Sequence, residues 1–299
     1  MNSASHSHHH NGQRFLLAIG LNLSFSTGEI WFGVQAGSAA LIADALHNLA
    51  DVATLAIAWG GAWLALRPAT VRFTYGLRST TIYAAFCNAS LLLLGCGGLA
   101  WEATQRLWAP PAVNGETMWL VAAVGILVNG LSALLFRHDH QHDLNARGAY
   151  LHLLGDAAVS LGVCVAGFAM LRTGWWWLDP LATLLIVGVI LTTTWRLLRD
   201  AALLGLHAVP SKIEVTAVAA ALVAEPEVTA VHDLHVWALS TTDTALTAHL
   251  VMPQGHPGDL RLEEITARMQ KKFGIGHTTL QIEVSDSRHV CTLTSPHTH

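Results

Sequence analysis

Charge is scarce in this chain of 299 residues. Asp, Glu, Lys and Arg make up 12% of it, about half the share of a soluble globular protein. Lysine occurs only at positions 212, 271 and 272, so arginine carries the positive charge over the first two thirds. A formal net charge of -4 gives no signal for nucleic-acid binding. The sequence has no GxxxxGK[ST] phosphate loop, which argues against an ATP-driven pump, and no HExxH for a metalloprotease. No enzyme activity is expected. Cys87, Cys96, Cys164 and Cys291 form no CxxC pair, and the first three lie in apolar runs. They read as small buried residues rather than as a disulfide framework or a thiolate metal site. No short apolar core with a small-residue cleavage site follows the polar, His-rich start, so no cleavable signal peptide is expected.

Apolar residues are abundant at 52%, and the mean hydropathy is +0.43. Six stretches, near 14–36, 39–66, 79–107, 116–136, 144–171 and 176–199, are long enough to cross a bilayer core that needs about 20 helical residues. Proline ends two of them, at Arg67-Pro68 and Ala109-Pro110-Pro111, and Asp179-Pro180 opens the last. Arg14, Arg67, Arg72, Arg78, Arg137, Arg147, Arg196 and Arg199 fall on one side of these spans, and Arg106 and Arg172 on the other. That bias predicts an even number of spans with both termini in the cytoplasm. Tryptophans 101, 108, 119 and 175–177 sit near the expected outer ends, as interfacial anchors do.

Inside the apolar runs lie two five-residue phrases, His47-Asn48-Leu49-Ala50-Asp51 and His152-Leu153-Leu154-Gly155-Asp156. Each sets an imidazole and a carboxylate one helical turn apart on the same face. Such groups cost several kcal/mol in hydrocarbon unless something pairs with them. Two facing helices of this kind offer four ligands to one divalent ion, His47, Asp51, His152 and Asp156. Nitrogen and carboxylate donors suit tetrahedral zinc, with cobalt and cadmium next, and the lack of thiolates disfavours copper(I). The pattern implies a membrane protein that moves a metal ion, with protons competing for the same groups. Glu29 and Asp44 are weaker candidates, for a pathway role or a helix contact, and Asn22 and Asn129 read as interhelical contacts. A passive divalent-cation channel or a membrane metal sensor using the same site is the alternative.

From about Pro210 the texture changes. A helical stretch at 212–224 is followed by strands at 228–239 and 245–252, an amphipathic helix at 260–273 and a strand at 278–284. The order αββαβ predicts a small two-layer domain, which at about 80 residues gains from dimerisation. His232 and His249 meet across the first two strands if the turn at 240–243 sets their register. Two further His clusters are candidate weak metal collectors: the N-terminal His6-Ser7-His8-His9-His10, and His138, His140 and His142 in the loop after the fourth span.

The phrases Gly37-Ser38-Ala39-Ala40-Leu41-Ile42-Ala43-Asp44-Ala45-Leu46-His47-Asn48-Leu49-Ala50-Asp51, Gly148-Ala149-Tyr150-Leu151-His152-Leu153-Leu154-Gly155-Asp156 and His232-Asp233-Leu234-His235-Val236-Trp237-Ala238-Leu239 together resemble the cation diffusion facilitator family, in its zinc-transporting branch. The resemblance covers roughly 14–290. It implies an α-helical membrane protein, a bundle of six transmembrane helices with a C-terminal cytoplasmic αββαβ domain. The implied layout is a His-rich cytoplasmic tail at 1–13, a membrane domain at 14–208, a metallochaperone-like domain at 209–290 and a flexible tail at 291–299. It further implies a homodimeric metal/proton antiporter in a bacterial inner membrane, exporting zinc with cobalt or cadmium as other cargoes. His47, Asp51, His152 and Asp156 would form the transport site. His232, His249 and Glu283, with Gln281 nearby, would form a cytoplasmic site where zinc acts as a regulatory ligand. Two departures stand out. Many relatives have Phe-Gly-Tyr-x-Arg-x-Glu where this chain has Tyr75-Gly76-Leu77-Arg78-Ser79-Thr80-Thr81, and Leu-Glu-Gly-Val-Pro where it has Leu206-His207-Ala208-Val209-Pro210. Both remove an acidic group near the cytoplasmic face.

Overall fold

The computed structural model describes residues 4–135 and 144–285, with side chains over 19–134 and 150–285. The collecting loop at His138, His140 and His142, Cys291 and the expected tail at 291–299 lie outside the described residues. Six long helices come first: α1 (Ala4–Ala36), α2 (Ala39–Ala65), α3 (Thr80–Trp108), α4 (Gly115–Leu135), α5 (Leu144–Thr173) and α6 (Leu178–Gly205). Five of them, α2 to α6, are long and apolar enough to cross a membrane. The chain is thus a multi-helix membrane bundle followed by an αββαβ domain. Helix α1 starts well ahead of the apolar stretch at residue 14, so helical backbone already runs through the His-rich residues 6–10. Helix α6 outlasts its expected end at 199 and stops only at Gly205.

The chain divides into two compact units, residues 1–56 with 88–196, and residues 57–87 with 197–299. In the first unit, α4 and α5 pack most closely. A Cβ on Gly167 would lie 2.8 Å from the Trp119 amide nitrogen, and one on Gly115 would lie 2.9 Å from the Gly167 carbonyl. Glycine at both positions lets the backbones touch, as small residues do between membrane helices. Leu41, Met118, Val163, Met170 and Ile186 fill the core around them.

One buried carboxylate organises the turn between α1 and α2. Gly37 takes a left-handed φ of 68°, and Asp179 at the start of α6 meets the first turn of α2. Its oxygens accept from Ser38 Oγ at 2.6 Å and from the Ala39 and Ala40 amides at 2.9 and 3.1 Å. Those amides are helix-end donors with no partner inside the helix, and an anion there also meets the positive end of the helix dipole. Arg106 of α3 closes the cluster, donating to the Gly37 carbonyl at 2.6 Å with its Nη1 3.9 Å from Asp179. This staple holds α2, and with it the side chains described next, against α3 and α6.

In the second unit, the C-terminal domain has α7 (Val215–Val223), β1 (Ala230–Ala238), β2 (Thr244–Val251), α8 (Asp259–Phe273) and β3 (His277–Glu283). The sheet order is β1-β2-β3, antiparallel between the first pair and parallel between the second. Leu246, Ala248 and Leu250 of β2 join Val218, Ile265 and Met269 in one core. By strand alternation Thr247 and His249 face the other way. Glu225, just past α7, ties the helices together. Arg268 grips it in a fork, Nε to Oε1 at 2.7 Å and Nη2 to Oε2 at 2.5 Å, and Arg261 adds a bond at 3.1 Å.

The Asp179 staple has a measurable consequence. Asp179→Ala leaves a hydroxyl and two amides buried without their acceptor and removes the carboxylate facing Arg106, which keeps its bonds to Gly37 and Glu102. Thermal unfolding of the purified protein in detergent should show a loss of roughly 2–5 kcal/mol. Asp179→Asn, which keeps an acceptor oxygen, should lose less.

Candidate metal centre

Helix α2 projects His47 and Asp51 from one face, and α5 projects His152 and Asp156 from one of its own. The structure brings all four together. His47 Nε2 is 3.6 Å from Asp156 Oδ1, and His47 Nδ1 is 3.9 Å from Asp51 Oδ2. His152 Nε2 is 3.1 Å from Asp51 Oδ2 and 3.7 Å from Asp156 Oδ2. The two imidazoles meet edge to face, 6.3 Å between centroids. The side chains form a closed ring in which each histidine touches both aspartates. His47, Asp51 and Asp156 each offer a ligand atom within 4.8 Å of the other two, and His152 completes the group from one side. Neighbouring ligands of a tetrahedral zinc with bonds of about 2.0–2.1 Å stand about 3.3–3.4 Å apart. The observed contacts bracket that spacing, and His152, which faces the two aspartates but stands farther from His47, would move inward to share one ion with it. One ion takes one nitrogen of His47, and the second nitrogen stays with a neighbouring group.

The helices around the ring carry further buried polar groups. Asp44 lies one turn before His47 on α2, fully buried, and its Oδ2 accepts from Ser160 Oγ of α5 at 2.9 Å. Glu29 of α1 is also buried and interacts with Asp44. Asn48, Asn129 and Ser132 are buried with side-chain polar atoms that have no hydrogen-bond partner among the described residues. Among the described residues Asn129 thus makes no interhelical hydrogen bond of the kind expected, and Asn22 has a buried side-chain oxygen without a partner there. Ser160, which ties α5 to Asp44, was not singled out from the sequence, because a lone serine in an apolar run carries no distinguishing pattern. Cys87, Cys96 and Cys164 are free thiols.

A second cluster forms on the sheet of the C-terminal domain. His232 and His249 are direct cross-strand partners, their rings 5.1 Å apart. His249 pairs with Gln281 of β3, and Glu283 lies two residues further along the same strand. Glu283 reaches both histidines, Oε2 to His232 Nε2 at 3.0 Å and Oε1 to His249 Nδ1 at 3.0 Å. Gln281 Nε2 donates to Glu283 Oε1 at 3.0 Å. The three expected residues His232, His249 and Glu283 thus come together within metal-ligand reach. Partial burial works against the charge of Glu283. The hydrogen bond from His232 and the charges of both histidines outweigh it and hold the carboxyl below its ordinary value of 4.5. His235 does not join this trio and instead contacts Asp233.

Comparison with known proteins agrees with this geometry. Residues 15–204 match the cation efflux transmembrane domain, and residues 210–285 match the cation efflux protein cytoplasmic domain. The chain is 35% identical to the zinc transporter ZitB of Shigella flexneri, over 93% of this chain and 92% of the relative. It is 36% identical to the metal cation efflux system protein CzcD of Cupriavidus metallidurans, over 94% and 90%. The chain belongs to the cation efflux family. It is a multi-pass membrane transporter of divalent cations rather than an enzyme, with a His/Asp metal-binding cluster in its membrane helices.

The depressed Glu283 carboxyl sets the direction of one pH effect. Its folded value lies below its unfolded value, so the unfolded chain binds the proton more tightly. The stabilisation is complete above pH 4.5, the ordinary value, and is lost as acidification carries the pH down through the folded value. Melting of the metal-free protein against pH should therefore show a shallower acid limb in Glu283→Gln than in the parent.

Proposed function

We propose that the protein exports zinc from the cytoplasm in exchange for protons, with His47, Asp51, His152 and Asp156 as its transport site. The observation that carries this reading is the closed ring of two imidazoles and two carboxylates between α2 and α5. Its donor set suits zinc, with cobalt and cadmium as secondary cargoes. The likeness to proteins named zinc transporter and metal cation efflux system protein points the same way. Metal binding requires ionised aspartates and a free nitrogen on each histidine, so protons arriving from the far side displace the ion. Alternation between inward-open and outward-open forms about this fixed site then couples the two flows. The buried amides of Asn48 and Asn129, without partners among the described residues, offer polar footing for water beside the site.

The same reading counts α1 as a sixth span, which returns both termini to the cytoplasm and agrees with the arginine bias. Residues 14–208 then form the membrane domain and 209–290 the cytoplasmic one. His232, His249 and Glu283 form a second cation site, suited to sensing cytoplasmic metal. Two copies of the chain assemble into a homodimer, in keeping with a C-terminal domain too small for a generous core of its own. The host is a bacterial inner membrane.

Proteoliposomes under an imposed pH gradient test the transport site. Zinc uptake with proton counterflow is expected for the parent protein. Asp51→Ala and Asp156→Ala should each reduce uptake to that of protein-free vesicles. Zinc flux unaffected by collapse of the pH gradient would point instead to a passive channel.

A further inference from the structure

Strand β1 is not regular where it meets the cytoplasmic cluster. His232 stands opposite His249 and His235 opposite Thr247, three steps on one strand against two on the other. The extra residue makes a β-bulge, which turns side chains away from their alternating faces. Asp233 sits in it with a left-handed φ of 49°, a conformation that aspartate tolerates better than most residues. In an unbroken strand its side chain would face away from His232. Here its Oδ2 lies 3.5 Å from His249 Nε2, and its Oδ1 lies 3.0 Å from His235 Nε2. His249 turns its other nitrogen, Nδ1, to Glu283. The imidazole thus lies between two carboxylates, Glu283 at 3.0 Å on one side and Asp233 at an ion-pair distance of 3.5 Å on the other.

We infer that Asp233, steadied by His235 and aimed by the bulge, is a positioning residue for a divalent cation held by His232, His249 and Glu283. It accepts the Nε2 proton of His249, which fixes the ring and leaves Nδ1 as the nitrogen that faces the ion. A carboxylate behind a ligating histidine orients the imidazole and raises its strength as a ligand. The inference rests on the reading of those three residues as a cation site. It also gives the bulge a purpose, since strained backbone is kept where something depends on it.

Cobalt(II) tests it, because the visible absorption of a four-coordinate cobalt ion reports its ligand geometry directly. Co²⁺ is titrated into the full-length protein in detergent, carrying Asp51→Ala and Asp156→Ala to silence the membrane site. The cytoplasmic signal is the difference from the same protein with Glu283→Ala. Asp233→Ala and Asp233→Gly should weaken Co²⁺ binding by about 10–100-fold. Asp233→Asn should restore part of the loss by accepting the same hydrogen bond, and His235→Ala should cost less than either. The glycine variant keeps the left-handed backbone at no strain, so it separates the carboxylate from the bulge and still reports if the alanine variant fails to fold. A glycine variant that binds Co²⁺ as tightly as the parent overturns the positioning role. A full cobalt signal in the Glu283→Ala protein overturns the site beneath it, and the positioning role with it.

Discussion

An ionisable group inside a bilayer must be answered by another group or by an ion, and the membrane part of this protein is arranged around four of them. His47, Asp51, His152 and Asp156 touch in a ring with contacts of 3.1 to 3.9 Å. The near-total burial of Asp156 would cost several kcal/mol on its own. Paired with imidazoles it costs far less, and the same pairing leaves the groups poised for a divalent cation. On the reading proposed above, a metal ion and protons satisfy one set of side chains in turn. The need to hide charge from lipid and the capacity to hold a divalent cation are thus met by the same side chains.

The remainder of the bundle keeps that ring in place. The two glycines that bring α4 and α5 into backbone contact set α5. Asp179 caps α2 and, with Arg106, joins it to α3 and α6. Ser160 links α5 back to Asp44 of α2, one turn from His47. The C-terminal sheet repeats the chemistry on a different scaffold. Strand alternation and cross-strand pairing, rather than helical spacing, bring His232, His249 and Glu283 to one face.

Much of this was legible in the sequence, and the reasons are physical. An i, i+4 pair on a helix has one geometry, so two HxxxD phrases in apolar runs announce a ligand set before any tertiary contact is known. Apolar length and proline breaks placed α2 to α5 within a few residues at each described end. The pairing of His232 with His249 needed only the short turn between β1 and β2. What escaped depended on distant partners or on broken periodicity. Nothing local marks Asp179 as the cap of a helix that begins 140 residues earlier. Likewise the serine that meets Asp44, and the burial of the Asn129 amide, follow from packing among helices. Asp233 was passed over because strict alternation turns it away from its histidine neighbours, and a bulge cannot be read from an alternating pattern.

The most direct measurement of the central claim is anomalous scattering at the zinc edge from crystals of the full-length protein soaked in zinc. A peak enclosed by His47, Asp51, His152 and Asp156, with bonds of about 2.0–2.2 Å to two nitrogens and two oxygens, is the result expected. Zinc bound elsewhere in the membrane region, with no density among these four side chains, would contradict it.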